Sequence, residues 1–389
     1  MKLDEIQDQL RRQQIDGWLF FDHHERDPLA YRVLGFSPPR HVTRRWYYWI
    51  PANGEPRGLV HRIEAGMLGA LPGDRILYSS WQEQVDGLKQ LLARAGRIAM
   101  QYSPDCRIPY ISMVDGGTMD LIRQTGADVV SSAELIQYFE ARLDAHGIAS
   151  HLEAGRRVDP IRADAFRFIG RQLAAGSLVD ELTVKRFILD AFAREGLFTD
   201  HGPIVGVNAN AANPHYEPDI AHSLPIEKGD FVLLDMWAKL GDPEAVYYDI
   251  TWTGFCGADP PSRIENVFGI VTEARNRAIE RVKNAVAAGA VLRGFEVDDA
   301  AREYIESKGF GANFPHRTGH SIGREVHGTG ANMDNLETHD DRRVIPGTCF
   351  SIEPGIYLDT FGIRSEIDMF IDDKTARVTG EMQDRLVAI

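Results

Sequence analysis

The sequence predicts an α+β protein of two domains, with a smaller α/β domain ahead of a larger mixed one. Its 389 residues exceed the size of one ordinary domain. Strand-like and helix-like segments alternate over roughly the first 145 residues, which is typical of an α/β domain. From about residue 160, long amphipathic helices alternate with longer strand-like runs, which favours a second domain of different architecture.

In the first domain, apolar residues at helical spacing are followed repeatedly by a short apolar run. Leu3, Ile6 and Leu10 indicate a helix, and the run 18–21 after Asp16-Gly17 indicates a strand. The same succession returns with Leu88, Leu91 and Leu92 before 98–100, and with Met119, Leu121 and Ile122 before 129–130.

The pattern changes between residues 146 and 160. His146-Gly147 is typical of a break, and Asp159-Pro160 is typical of a helix start with proline in the first turn. We therefore expect a first domain over 1–147 and a second over 148–389.

The second domain combines helical faces with four strand-like runs. Helices are indicated by the apolar faces Val184 to Phe192, Ile264 to Ala278 and Val297 to Ile305. The strand-like runs are 231–234, 247–255, 349–358 and 362–371.

The composition limits the possible partners. A formal net charge of −14 argues against nucleic acid, because phosphate binding requires a basic surface. No stretch approaches 18 consecutive apolar residues, so no membrane span is expected. The three scattered cysteines, Cys106, Cys256 and Cys349, and an N-terminus without an evident secretion signal favour a cytoplasmic protein.

Four acidic residues lie within strand-like contexts of the second domain. They are Asp235 in FVLLDMW, Asp249 in YYDITWTG, Glu353 in FSIEPGIY and Glu366 in GIRSEIDMF. A carboxylate buried in a strand is costly unless it is paired, protonated or bound to a metal. One such acid is most simply a strand end or a surface turn, but four within 140 residues match the charge of two divalent cations.

Histidines accompany these acids. His316, His320 and His327 lie in FPHRTGHSIGREVHG, and His215 lies in the Asn-rich segment VGVNANAANPHYEP. Taken alone, each segment is equally well a loop whose imidazoles are satisfied by the backbone.

Together these motifs resemble those of a known superfamily. VGVNANAANPH, LLDMW, YYDITWTG, HRTGHSIGREVHG and the pair SIEPGIY and GIRSEID occur in the order and context of methionine aminopeptidase, prolidase and aminopeptidase P. The resemblance covers residues 155–389 and implies the "pita-bread" catalytic fold. Residues 1–145 resemble the extra domain of the prolidase, aminopeptidase P and creatinase branch, so the chain is identified with the Xaa-Pro dipeptidase (prolidase) and aminopeptidase P branch of metallopeptidase family M24.

The resemblance implies a pair of divalent cations held by five residues, which are Asp235, Asp249, His320, Glu353 and Glu366. In the family, the acids at 249 and 366 bridge both ions. The oxygen-rich ligand set favours Mn²⁺, with Co²⁺ and Zn²⁺ as alternatives.

The same resemblance implies the catalytic residues. His215 and His327 would face the substrate, His316 would lie near the proline subsite, and Glu353 would carry a proton to the leaving nitrogen. Arg364 would orient a metal-bound aspartate.

The implied reaction is hydrolysis of the bond before proline in Xaa-Pro dipeptides by a metal-bridging hydroxide. The implied assembly is a homodimer that binds a small peptide substrate. Neither nucleic acid nor a membrane is an expected partner. Alternatives are an Xaa-Pro aminopeptidase acting on longer peptides, a lyase or C–N hydrolase of a small non-peptide on the same fold, and a non-catalytic binding module.

The sequence departs from the family at three places. His201 stands where the family has a tyrosine, fourteen residues before His215. The segment 241–245 lengthens the connection between Asp235 and Asp249. Arg317 replaces a small residue and is interpreted equally well as a carboxylate-binding group or as a surface residue.

Overall fold

The computed structural model describes residues 1–37 and 41–389 and confirms the α+β class. Contacts divide the chain into two compact units, Met1–Glu140 and Ala141–Ile389. This division lies after residue 140 rather than 147, and the assignment of a creatinase-like domain to 1–147 and a catalytic domain to 148–389 stays a prediction. Within the described ranges, every helix is too short or too polar to cross a lipid bilayer.

The described part of the first unit is an α/β unit built on one six-stranded sheet. Its strands are β1 (Gly17–Asp22), β2 (Trp46–Pro51), β3 (Arg57–His61), β4 (Asp74–Tyr78), β5 (Arg97–Met100) and β6 (Asp128–Ser131). Its helices are α1 (Leu3–Arg12), α2 (Pro28–Leu34), α3 (Trp81–Leu91), α4 (Gly116–Arg123) and α5 (Ala133–Ile136).

The sheet of the first unit has the order β4-β3-β2-β1-β5-β6. Strand β2 is antiparallel to both of its neighbours, and all other pairs are parallel. The carboxyl ends of the remaining strands therefore lie along one edge of the sheet.

The second unit, Ala141–Ile389, is described throughout. Its helices are α6 (Ala145–Ala174), α7 (Glu181–Arg194), α8 (Ser262–Ala288) and α9 (Gly294–Ser307). Its strands are β7 (Leu197–Phe198), β8 (Ile204–Val207), β9 (Phe231–Leu240), β10 (Tyr248–Phe255), β11 (Ser321–Ile322), β12 (Cys349–Ile352), β13 (Gly355–Leu358), β14 (Phe361–Arg364), β15 (Ile367–Ile371), β16 (Ala376–Val378) and β17 (Val387–Ala388).

These strands form three sheets. One has the order β17-β10-β9-β7 with β8 also paired to β9, a second has the order β11-β12-β15-β16, and β13 and β14 form a hairpin. Apolar faces of α6 and α7 pack with β8, β9 and β10, whereas α8 and α9 pack with the strands that follow residue 349. The helices thus enclose a β-rich centre, where the polar strand residues meet.

The helix start predicted at Asp159-Pro160 is wrong, because α6 begins at Ala145 and contains Pro160. The side chain of Asp144 caps it by accepting from the Gly147 N–H at 2.8 Å. Proline inside a helix costs about 3 kcal/mol, and here the packing of Val158 and Ile161 in the core offsets that cost.

Candidate metal centre

Strands β9 and β10 place two of the predicted acids on one face. Their antiparallel register sets Asp235 opposite Thr251 and Trp237 opposite Asp249. Because side chains alternate along a strand, Asp249 points to the same face as Thr251, and Asp235 faces it from the neighbouring strand.

Strands β12 and β15 supply the other two acids. Ile352 pairs with Ile367, so Glu353 and Glu366 lie one residue beyond the last pair of the ladder. The Glu366 N–H donates to the Thr251 carbonyl at 3.2 Å, which joins this sheet to β10.

His320 is held against β12 by two hydrogen bonds to Ser351. The Ser351 N–H donates to the His320 carbonyl at 2.8 Å, and the His320 N–H donates to Ser351 Oγ at 3.0 Å. The preceding Gly319 approaches so closely that a Cβ there would lie 2.0 Å from the Ser351 carbonyl oxygen. Only glycine allows this approach, which brings the imidazole to the acids.

The predicted ligands therefore converge. His320 Nε2 lies 3.3 Å from Glu353 Oε1 and 3.6 Å from Asp249 Oδ2. Asp249, His320 and Glu366 each offer one ligand atom within 4.8 Å of the others, and all three are buried. We call Asp235, Asp249, His320, Glu353 and Glu366 the metal centre.

The donors and acceptors of this cluster fit a cation. Asp249 Oδ1 and Glu366 Oε1 are buried and have no hydrogen-bond partner among the residues that the structure describes. His320 Nδ1 faces the Ser321 carbonyl at 3.3 Å, so its proton belongs there and Nε2 presents a lone pair to the carboxylates. Acceptor atoms that face one another without a donor are unfavourable unless a proton or a cation lies between them, and carboxylate and imidazole ligands suit Mn²⁺ or Zn²⁺.

The pKa values reflect the same crowding. Burial, followed by the charge of Asp235, raises the pKa of Asp249 well above its usual range. Burial and the charge of Asp249 do the same for the pKa of Glu366. Burial raises the pKa of Glu353 to about 7, and burial lowers the pKa of His320 so that its imidazole stays neutral.

Asp235 is joined to the cluster by Arg364. The guanidinium donates from Nη2 to Asp235 Oδ2 and from Nε to Thr251 Oγ1 at 3.0 Å. Thr251 Oγ1 in turn donates to Glu366 Oε2 at 2.7 Å. Arg364 therefore contacts an acid of the metal centre, and its role in orienting a metal-bound aspartate stays a prediction.

His316 is fixed by a tyrosine that the sequence analysis did not single out. His316 Nδ1 donates to the Arg317 carbonyl at 2.7 Å, so Nε2 accepts from the Tyr357 hydroxyl at 2.8 Å. Arg364 Nη1 donates to the same hydroxyl at 2.9 Å. Burial, then Arg364, lowers the pKa of His316 to about 3, so the ring is neutral.

The remaining predicted histidines lie beside the metal centre. The His327 ring packs edge-on against His320 with centroids 4.3 Å apart. His215 is exposed on its loop. Burial raises the pKa of Asp235, whereas the charge of Arg364 and, more weakly, that of His215 lower it. The structure therefore brings these two histidines near the centre without giving either a ligand contact.

Two further buried acids were missed by the sequence analysis. Glu181 accepts from Val207 N, Leu224 N and the Tyr216 hydroxyl, which ties down both sides of the His215 loop. Asp368 Oδ2 accepts from the Asp249 N–H at 2.9 Å. Glu181 lies in the first turn of a helix, where an acid carries no special signal, whereas Asp368 has the same strand parity as Glu366.

Two of the departures from the family pattern lie at the surface or beside the histidine-bearing loop. The side chain of His201 is exposed and pairs with Asp200 at 3.4 Å. The hairpin 241–247 is tied to the histidine-bearing loop, because Glu244 Oε2 lies 2.7 Å from Arg324 Nη1.

Comparisons with known proteins relate the chain to metallopeptidases. The model of the family described as Metallopeptidase family M24 matches residues 150–373. A putative Xaa-Pro aminopeptidase of Mycoplasma pneumoniae is 32% identical over 196 residues, which cover 50% of this chain and 51% of that protein. An Xaa-Pro dipeptidase of Lactobacillus delbrueckii is 29% identical, with 51% and 50% covered. The chain thus spans about half the length of these relatives.

Solved structures confirm the pita-bread fold. A prolidase from Thermococcus sibiricus superposes with a TM-score of 0.64 at 23% identity, covering 100% of this chain and 98% of that one. An X-prolyl aminopeptidase from Caenorhabditis elegans, described as cytosolic with a di-nuclear active site, gives a TM-score of 0.66 at 16% identity, covering 99% and 63%.

We expect Gly319→Ala to destabilise the protein by about 1–3 kcal/mol, because the new methyl group collides with the Ser351 carbonyl. Gly323→Ala is the matched control, since its Cβ would meet nothing closer than 3.8 Å and should change stability by less than about 1 kcal/mol. Urea unfolding measures both variants. Equal effects would contradict the close approach.

We expect Mn²⁺ to stabilise the protein more at pH 7.5 than at pH 5.5. Without metal, the raised pKa of Glu353, about 7, makes the folded state bind a proton that the unfolded state has released. Stability of the metal-free protein therefore falls as the pH rises from about 4.5 to 7, by up to about 1.4 kcal/mol per pH unit for each proton.

A bound cation replaces that proton, so the shift in thermal midpoint between Mn²⁺-loaded and chelated protein should grow over the same pH window. Thermal unfolding at matched ionic strength measures it. A shift that is constant or shrinks with rising pH would contradict the assignment.

Proposed function

The chain belongs to metallopeptidase family M24, and from that premise we propose that it hydrolyses the peptide bond that precedes proline, with Xaa-Pro dipeptides as substrates. We propose that two divalent cations, with Mn²⁺ as the first candidate, act at the metal centre. The observation that supports this most is the buried convergence of Asp249, His320 and Glu366.

The residues of the metal centre have distinct parts in this proposal. Asp249 and Glu366 would hold both cations, Asp235 would complete the site of one, and His320 with Glu353 would complete the other. When bound, the cations would lower the pKa of water and polarise the scissile carbonyl group.

Glu353 is suited to move a proton. Burial raises the pKa of Glu353 to about 7 in the metal-free protein, so this carboxyl group accepts a proton more readily than an exposed glutamate does. In the proposed reaction, Glu353 accepts a proton from the attacking water and delivers it to the proline nitrogen. That nitrogen has no N–H in an Xaa-Pro bond and must be protonated before it leaves.

The histidines divide into two kinds. Both ring nitrogens of His316 form hydrogen bonds, to the Arg317 carbonyl and to the Tyr357 hydroxyl. In this arrangement the ring could contact a substrate only by van der Waals packing. His215 is exposed, and His327 packs on the His320 ring. These two are our candidates for hydrogen bonds to the substrate.

Cleavage of longer peptides is the second candidate function, because one relative is described as a putative Xaa-Pro aminopeptidase. Hydrolysis of Xaa-Pro and of Xaa-Pro-Yaa peptides by the Mn²⁺-loaded protein distinguishes the two. Cleavage of Xaa-Pro-Yaa alone would show that the substrates are longer peptides, cleaved at their free N-terminus, and would exclude the dipeptidase proposal.

We expect Asp249→Asn to lower kcat/KM for an Xaa-Pro dipeptide by more than about 100-fold, because it removes a proposed bridging ligand. Asp242→Asn is the matched control: it removes the same charge from the hairpin between β9 and β10, where Asp242 pairs with exposed His146. Steady-state kinetics after chelation and Mn²⁺ reconstitution measure both. Full activity in Asp249→Asn would overturn the proposed centre.

We expect Arg364→Lys to weaken Mn²⁺ binding or activity by about 10–100-fold. Lysine keeps the charge but cannot contact Asp235, Thr251 and Tyr357 together. Calorimetric Mn²⁺ titration measures the change, with the exposed Arg385→Lys as control. Unchanged affinity and activity would remove Arg364 from its positioning role.

A further inference from the structure

We infer that the first unit carries a binding site for a small organic oxyanion, a carboxylate or a phosphate ester. The site is a cavity of about 830 Å³ lined only by residues of that unit. Its lining contains none of the metal-centre residues, and the inference does not rest on the proposed function.

The cavity lies where the topology of the sheet favours ligand binding. Its lining includes His23, directly after β1, His61 at the end of β3, and Tyr78 at the end of β4. The chain runs from β1 through β2 and β3 to β4 on one side and then continues with β5 on the other side of β1. Ligands of open α/β sheets bind outside the carboxyl ends of strands at such a change of direction.

Positive groups concentrate in this cavity, although the chain as a whole carries a net charge of −14. Arg26, Arg44 and Arg45 line it, and the imidazoles of His23 and His61 add hydrogen-bonding groups. Guanidinium groups bind carboxylate and phosphate oxygens through paired hydrogen bonds.

Two of these arginines form no side-chain ion pair among the described residues, although the Glu64 carboxylate accepts from the Arg44 backbone N–H at 3.2 Å. The half-buried Arg45 side chain makes no hydrogen bond or ion pair there, and Arg44 Nη1 donates only to atoms of Thr43. Of the two acids that line the cavity, Asp115 caps α4 through Thr118 and lies 3.9 Å from Arg26, and Asp120 is exposed on α4. The charge of Arg45 therefore remains available to a ligand, and the Arg44 guanidinium is not held by a direct ion pair.

The loop after β1 is held in a strained conformation at this cavity. His24 and Glu25 have φ values of 63° and 57°. The buried Asp22 side chain holds the loop by accepting from Glu25 N and Arg26 N at 2.9 and 2.8 Å, and from the Tyr31 hydroxyl at 2.6 Å. Backbone strain of this kind persists only where its surroundings impose it, and it is concentrated at ligand-binding sites.

The other lining residues of the cavity favour an anion that also has an organic part. Gln84 and Thr118 are buried polar residues of the lining, whereas the Trp81 ring is 68% exposed. An exposed indole beside two guanidinium groups offers a face for an apolar or planar part of the ligand.

Calorimetric titration of the full-length, metal-loaded protein with benzoate and with phenyl phosphate, in a buffer free of other oxyanions, tests the inference. We expect at least one probe to bind and Arg45→Gln to weaken its affinity by about tenfold or more. Arg44→Gln is the second variant. Arg94→Gln is the matched control, since it removes the same charge from an exposed position of the same unit outside the cavity.

Binding of benzoate alone identifies a carboxylate ligand, binding of phenyl phosphate alone a phosphate ester, and binding of both the shared oxyanion chemistry. A binding signal that persists in Asp249→Asn but falls in Arg45→Gln or Arg44→Gln supports the cavity. No binding of either probe at 10 mM, about the weakest useful affinity, overturns the inference. Affinity that is unchanged in both arginine variants, or reduced equally in Arg94→Gln, also overturns it.

Discussion

The second unit depends on one electrostatic constraint: buried carboxylates and a neutral imidazole face one another, and donors such as Thr251 and Arg364 reach only part of the carboxylate oxygens. The His320 lone pair faces the carboxylates of Asp249 and Glu353, and one oxygen each of Asp249 and Glu366 has no hydrogen-bond partner in the described ranges. Such a cluster is unfavourable as bare charges. Divalent cations would turn the same repulsion into attraction, which is why the surrounding structure is best understood as a frame for metal ions.

That frame is built from two sheets that share polar contacts. The Glu366 N–H donates to the Thr251 carbonyl, and the Thr251 hydroxyl donates to the Glu366 carboxylate. Arg364 extends the network to Asp235 and, through Tyr357, to His316. A displacement of either sheet would therefore alter several contacts at once, and the position of the His316 ring is coupled to the positions of the acids.

Much of this centre was predictable because its residues violate the apolar pattern of buried strands. Asp235 and Glu366 were identified in this way, and the ordered motifs supplied the family and the fold. Glu181 could not be found, since an acid in the first turn of a helix is ordinary. The length of α6 was also missed, because tertiary packing overrides the local preference of Pro160. Tyr357 acts through contacts that form only after folding.

Anomalous diffraction from crystals grown with Mn²⁺ tests the central claim most directly. We expect two peaks per chain, about 3.5–4 Å apart, with Asp249 and Glu366 oxygens between them and His320 Nε2 at one peak. A single peak would reduce the centre to one ion. No peak at these residues, in protein that binds Mn²⁺ elsewhere, would contradict the account.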